Sequence, residues 1–250
     1  MEDLAQQELS DDLIEQFGRQ ILVPGIDEQG QLNLSKRKVC IIGLGALGTV
    51  ASQYLVRSGI GEVHLIDPDQ IEESNLHRQI NYTLEDVGAF KSEVSKNKLQ
   101  GINDITKIIS HPTTYENYLK EYSNENFDLI FDCTDNHENK ILSSQLCKKN
   151  KIAYVSISIN STEGIYFSQN YKKDTTACFA CLFPQTDVNH RCLNSAMIGP
   201  VAGFVTSLAC TKIIFALANS SNDLKSEINL IDLLTSDINK LQLADINCPH

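Results

Sequence analysis

Lys38-Val-Cys-Ile-Ile-Gly43-Leu-Gly45-Ala-Leu-Gly48 joins a short apolar run to the pattern G-x-G-x-x-G. The run has charge on one side and glycine on the other, which predicts a buried strand. Across residues 46–58 the apolar side chains recur at helical spacing. Gly61-Glu-Val-His-Leu-Ile-Asp67 then reads as a second strand that ends in an acid. Strand, glycine turn, helix and strand open a parallel, doubly wound α/β sheet. In such a unit the glycines permit a tight turn and close approach of backbone to phosphate, while the helix N-terminus offers free N–H groups. Gly43, Gly45, Ala46 and Gly48 are the expected nucleotide contacts, and Asp67 stands where a ribose hydroxyl is held. Alone, the pattern says nucleotide, with NAD or FAD as the default. A glycine turn without a ligand is the alternative.

Outward from this unit, strands are expected at residues 105–109, 127–132 and 152–158. Helices are expected at 91–100, 115–122 and 137–149. Towards the N-terminus, Ser10 precedes a helix running to about residue 16, with Asp11, Asp12 and Glu15 suited to its positive end. A second short helix follows at 28–34. Past residue 156 the alternation of strand and helix stops. A strand at 164–169, a cysteine-bearing loop, a helix from Gly199 and strands at 228–232 and 238–243 complete the chain. The expected fold is therefore a Rossmann-like, doubly wound mixed sheet with a parallel core and antiparallel C-terminal strands. No Pro-, Gly- or Ser-rich linker interrupts it. One domain over 1–250 is expected, with a helical arm (1–36), a nucleotide-binding core (37–160) and a C-terminal part (161–250).

Composition narrows the function. The 250 residues are 42% hydrophobic, in the ordinary globular range, and the formal net charge is -11. An acidic chain repels phosphate backbones, so a general nucleic-acid role is not expected. The acidic N-terminus lacks a signal peptide's apolar stretch. Residues 199–219 are apolar but broken by Thr206, Ser207, Thr211 and Lys212, which suits a buried helix rather than a membrane span. A cytoplasmic protein is expected. There the eight cysteines stay reduced, and clustered ones point to metal or chemistry.

The residues after the second strand argue against hydride transfer. Ser74-Asn75-Leu76-His77-Arg78-Gln79 places Asn75 and Arg78 close behind it, and Lys91 opens a helix. Cys133-Thr134-Asp135-Asn136 follows directly on a strand end, where open α/β sheets bind ligands. An ATP site uses this set. Arg and Lys neutralise a triphosphate, and a carboxylate holds its metal ion. Singly, Arg78 or Lys91 reads as a surface charge, and Asp135-Asn136 as a turn and helix cap.

Gly43–Gly48, Asp67-Pro-Asp69, Ser74–Gln79, Lys91 and Cys133–Asn136 occur in the order seen in ThiF, MoeB and the ubiquitin-activating enzymes. The chain resembles that family over nearly its whole length, and ThiF most. Phe17-Gly-Arg-Gln-Ile21 is similar to the family's R-x-x-R-Q-I, with Arg19 at the second arginine and Gln16 in place of the first. The resemblance implies ATP-dependent adenylation of the C-terminal carboxylate of a small ubiquitin-like sulfur carrier. It implies that Asp67 binds ribose, beside Asp69. Asn75, Arg78 and Lys91 hold phosphates, and Asp135, next to Asn136, binds Mg2+. It also implies a homodimer in which Arg19 reaches the neighbouring subunit's site. On the residues alone, Arg19 reads as a cap of its own helix.

Cys178-Phe-Ala-Cys181 is either a redox pair or half of a zinc site. The family carries a second C-x-x-C near its C-terminus, where this chain has Cys248-Pro-His250. That reads as a Cys-Pro-x-Cys cut short, so Zn2+ is expected on Cys178, Cys181 and Cys248 with the chain continuing. His250 as the fourth ligand, or an incomplete site, are the alternatives. Cys192 matches the position of ThiF's reactive cysteine, with Arg191 and His190 beside it suited to a thiolate, whereas on the residues alone a lone cysteine next to basic residues reads as inert. Cys40, Cys133, Cys147 and Cys210 read as core. The implied carrier is ThiS-like, for thiamin, or MoaD-like, for molybdopterin. The implied sulfur source is a sulfurtransferase or cysteine desulfurase. Rival readings are an NAD-dependent oxidoreductase, a catalytically dead partner subunit and a peptide-activating enzyme.

Overall fold

The last four residues of β1 (Lys38–Ile42) are all buried, which places this strand at the centre of an eight-stranded sheet. The computed structural model describes residues 9–121, 125–172, 177–184 and 196–243. The strands are β1, β2 (Glu62–Ile66), β3 (Lys107–His111), β4 (Leu129–Asp132), β5 (Ala153–Asn160), β6 (Glu163–Asn170), β7 (Glu227–Asp232) and β8 (Asp237–Gln242). Their spatial order is β3-β2-β1-β4-β5-β6-β7-β8. Neighbours from β3 through β5 run parallel, and from β5 to β8 antiparallel. The expected mixed sheet is thus present.

Side-chain alternation along β1 feeds two cores. Val39 and Ile41 join a cluster with α3 (Ala46–Arg57) and α8 (Gly199–Ala218) on one face. Cys40 and Ile42 join Tyr115 and Tyr118 of α5 (Tyr115–Glu121), Cys147 of α6 (His137–Asn150) and Phe179 of α7 (Phe179–Leu182) on the other. Covering both faces is what a parallel sheet requires. Helix α8 is long and apolar enough to cross a membrane, but it packs on α3 and on β5 and β6 as a core helix. Cys40, Cys133, Cys147 and Cys210 are buried free thiols, as their sequence context suggests.

Several elements differ from expectation: β4 starts two residues late and β5 runs on to Asn160, and three further differences have a visible cause. Helix α1 (Asp11–Ile21) runs further than residue 16 because its buried Phe17 packs against Gly59. β3 begins two residues late because Asn103 Oδ1 accepts from the N–H groups of Ile105 (3.0 Å) and Thr106 (2.8 Å), which holds them in a turn. A single helical turn, α7, lies inside the expected cysteine loop, just after Cys178. The remaining helices are α2 (Asp27–Leu34) and α4 (Lys91–Gln100).

A histidine pair ties β2 to β3. His64 Nε2–H donates to Glu62 (2.8 Å), and His64 Nδ1 accepts from the Tyr118 hydroxyl (3.0 Å) and lies 3.1 Å from His111 Nε2. Lys38 pairs with Glu62 (2.8 Å) and with Glu125, so the cation among these acids is already an ammonium. Burial lowers both imidazole pKa values, and burial together with the neighbouring His64 holds that of His111 at about 4. A histidine depressed in the fold takes up its proton more readily when unfolded. Its contribution to stability is therefore whole above the ordinary value near 6.5 and is lost as the pH falls toward about 4. The urea midpoint is expected to drop across that window, and less steeply in His111→Phe. Identical slopes for parent and variant would remove the pair from the account.

Candidate functional site

Chain connections leave β1 for β2 on one side, while β4 adjoins β1 on the other. This is the topological switch point, and the crevice beyond its strand ends is where open sheets receive ligands. Gly43 ends β1 with φ +85°, a region favoured by glycine, and a Cβ there would lie 3.1 Å from Thr134 N and 3.2 Å from Cys133 O. The turns after β1 and β4 thus meet backbone to backbone. Gly48 faces back onto the same turn: a Cβ would overlap the Gly43 carbonyl oxygen and sit 2.8 Å from its carbon. Gly45 caps α3 without any side-chain hydrogen bond, so the helix's first N–H groups keep no side-chain acceptor.

Asp67 clamps this turn. Its Oδ2 accepts from Leu44 N (2.6 Å) and its Oδ1 from Asp69 N (2.8 Å). Burial pushes the Asp67 carboxyl up, opposed by the Leu44 hydrogen bond and the Lys91 charge. Asp69, by contrast, has a side chain 64% exposed and pairs with the buried Lys91 Nζ at 2.9 Å. Lys91 N also donates to Asp69 O (3.0 Å), which fixes the start of α4 beside the turn. Tyr82 completes the knot: its hydroxyl donates to Leu44 O (2.9 Å) and lies 3.1 Å from Ser95 Oγ on α4.

Asp135 follows the meeting point of the two turns. It is exposed, and its carboxylate has no partner among the described residues, so it is free to take a hard cation. Asn136 caps α6 by accepting from Asn139 N (3.1 Å). The loop is anchored from below by Asp132, whose Oδ1 accepts from Thr134 N (3.0 Å) and Thr134 Oγ1 (2.7 Å). Asp132 is itself fully buried, with Lys140 Nζ 3.6 Å away and Ser143 Oγ donating at 2.9 Å.

The segment with Asn75 and Arg78 flanks the turn from the other side. Gln79 Nε2 lies 3.7 Å from where a Gly45 Cβ would stand. Asn75 is buried and closes a capping box with Glu72. The Arg78 guanidinium is drawn to its own loop, donating to Ser74 O (2.8 Å) and lying 2.7 Å from His77 Nε2. The first residue of α8 packs here as well, with a Gly199 Cβ position 3.4 Å from His77 O.

Arg19 is elsewhere. Helix α1 docks at the opposite end of α3, where Gln20 Nε2 donates to Ser58 O (3.0 Å). The 12 residues of α3 separate that end from the glycine turn by about 18 Å. Arg19 is exposed in the last turn of α1. Cys178 and Cys181 hold their sulfurs 3.7 Å apart. Two thiolates on one tetrahedral zinc, with bonds of about 2.3 Å, stand about 3.8 Å apart, so the pair fits that ion. Cys192 and Cys248 lie outside the described residues, as do His190, Arg191 and His250.

Tyr82, Asp132 and Lys140 were not identifiable as site residues from the sequence, and Gln79 was visible only as the end of the Ser74–Gln79 motif. Of the former, Asp132 alone left a signal, an acid closing the otherwise apolar run Leu-Ile-Phe-Asp. The partners of the others come from distant elements.

A sequence model described as the ThiF family matches residues 17–250. The chain belongs to the ThiF family. Among curated relatives, the "Sulfur carrier protein adenylyltransferase" of Thermus thermophilus is 28% identical over 94% of the chain and 90% of its own length. The "Adenylyltransferase and sulfurtransferase MOCS3" of Dictyostelium discoideum is 31% identical over 85% of the chain. The chain spans only 50% of that relative's length. Among solved structures, E. coli MccB with MccA-N7isoASN superposes with a TM-score of 0.80 at 24% identity, covering 94% of the chain and 73% of MccB. PaaA superposes with a TM-score of 0.78 at 19% identity, covering 98% of the chain and 78% of PaaA. These two likenesses show the ThiF-type fold.

Proposed function

We propose that this ThiF-family chain is an adenylyltransferase that uses ATP to activate the C-terminal carboxylate of a ubiquitin-like sulfur carrier. The observation that carries the reading is the convergence, in one crevice, of an uncapped helix N-terminus, Lys91 and Asp135, whose carboxylate has no partner among the described residues. Lys91 and the α3 N–H groups hold the phosphates, joined by Arg78 once its guanidinium leaves Ser74. Asp67 keeps the turn rigid and sits beside the ribose. Asp135 holds the Mg2+ that accompanies ATP, which supplies charge neutralisation of the phosphates. A carrier carboxylate oxygen bonds to the α-phosphorus, the bond to the bridging oxygen of the β-phosphate breaks, and pyrophosphate leaves with the electron pair. The chain's part is to orient the reactants and to stabilise charge that develops on the phosphorane oxygens.

The active form is a homodimer in the cytoplasm, with Arg19 acting in the partner's site. Phe204 (44% exposed) and Phe215 (40%) lie on one stripe of α8, and Leu22 (82%) ends α1 nearby. Phe215 is 3.4 Å from the Cβ position of Gly25, so the two elements adjoin. An exposed apolar stripe of this kind, adjoining the loop that follows α1, supports pairing on this side. Zn2+ is held by Cys178, Cys181 and Cys248, and Cys192 takes part in later sulfur transfer from a sulfurtransferase or cysteine desulfurase.

The carrier is ThiS-like and serves thiamin synthesis. Purified chain is expected to exchange labelled pyrophosphate into ATP when given a ThiS-type carrier, and far less with a MoaD-type carrier. The reverse preference would move the proposal to molybdopterin. No exchange with either would end it.

A further inference from the structure

Lys140 brings a buried ammonium to the ends of β4 and β5. Its Nζ donates to Ser156 Oγ (2.9 Å) and Ile157 O (2.9 Å) on β5, and to Asp132 O (3.5 Å) at the end of β4. The Asp132 carboxylate stands 3.6 Å away. The Tyr154 hydroxyl spans the same two residues, 3.3 Å from Asp132 Oδ2 and 3.1 Å from Lys140 O. Lys140 N donates to Asn136 O (3.2 Å), so the side chain leaves the first turn of α6 and folds back to the strand ends. The turn between β4 and α6 is thereby tied to β5, while the Asp135 carboxylate within it has no partner among the described residues. Replacing a buried ion pair by apolar side chains of the same volume is often neutral or stabilising. Stability alone therefore does not account for a lysine at this position.

We infer that Lys140 is a positioning residue for metal binding: by tying the turn to β5 it fixes where Asp135 presents its carboxylate to the Mg2+ of ATP. The inference rests on the reading that Asp135 holds that ion. Lys140 is buried and acts through the turn rather than on the nucleotide. Groups that orient a metal ligand without touching the metal commonly set its affinity, because a carboxylate on a loosened turn loses its place. Such a role has a signature that a packing role lacks. Loss of the ammonium should weaken only what Asp135 contributes, and should matter no further once Asp135 is gone.

The test is calorimetric binding of ATP, with Mg2+ and with EDTA, to the parent, Lys140→Met, Asp135→Ala and the double variant, with thermal melts of each. Lys140→Met is expected to lose about tenfold in affinity for ATP·Mg2+ and to bind metal-free ATP as the parent does. In the Asp135→Ala background it is expected to cost nothing more. Met strands the Asp132 carboxylate in the core, so Lys140→Met is open to failing to fold. The neutral pair Asp132→Asn/Lys140→Met, compared with Asp132→Asn, then carries the same cycle, since Asn keeps the acceptor for Thr134 N and Oγ1. Parent-like ATP·Mg2+ affinity without the ammonium would overturn the assignment and leave the ATP site standing. Equal losses with and without Mg2+, or a further loss on top of Asp135→Ala, would overturn it as the sign of a packing role. A parent that binds no ATP·Mg2+, or an Asp135→Ala variant that binds it as well as the parent, would overturn the inference together with the reading beneath it.

Discussion

Asp135→Ala is expected to abolish ATP–pyrophosphate exchange while leaving the fold intact. The side chain is exposed and has no partner among the described residues, so its loss removes no internal contact. Substitutions of that kind change stability by about 0.5 kcal/mol or less. The functional loss is of another order. A carboxylate that places a cation against developing phosphate charge acts only in the occupied site, and losing one such electrostatic contact costs about 10²–10³ in rate. The loop would keep its shape, because Asp132 and Asn136 hold it through Thr134 and Asn139. Exchange rates and thermal melts of the same preparation check this. Full exchange in a folded variant would take Asp135 out of the mechanism.

Gly48→Ala is expected to damage stability and nucleotide binding together. The added carbon would overlap the Gly43 carbonyl oxygen and crowd its carbon at 2.8 Å, and neither is the end of a flexible side chain. Either α3 withdraws from β1 or the turn opens. Overpacking of this kind costs about 3 kcal/mol, which for a chain of this size lowers Tm by roughly 6–12 °C. The turn that moves is the one clamped by Asp67 and Tyr82, so ATP affinity should fall about tenfold or more even where the protein remains folded. A variant that melts with the parent and binds ATP as well would show that the helix does not need its close approach. Gly203 makes a fitting control, since nothing lies within 4 Å of a Cβ there.

The parallel core was legible because its signals are local. β1, α3 and β2 follow from an apolar run, a glycine turn and an acid within 30 residues, and α4 matches its expected span, Lys91–Gln100. The late start of β3 was not legible, because an Asn side chain competes with the ladder for two N–H groups. The site was half visible. Asp69 and Lys91 carry charge and stand in a recognisable order, yet their mutual ion pair is a tertiary fact. Tyr82 gave no signal, because it acts through the Leu44 carbonyl. Nor could the order of residues show that Arg78 turns toward Ser74 or that α1 docks at the far end of α3.

The central claim is that this crevice joins AMP to a protein's terminal carboxylate. Intact-mass spectrometry of a Gly-Gly-ending carrier, incubated with the chain and ATP·Mg2+, measures it directly. The account predicts a carrier heavier by one adenylyl group, placed at the last residue and absent when that carboxylate is amidated. A carrier that stays unmodified while ATP binds, or one adenylated equally with its C-terminus blocked, would contradict it.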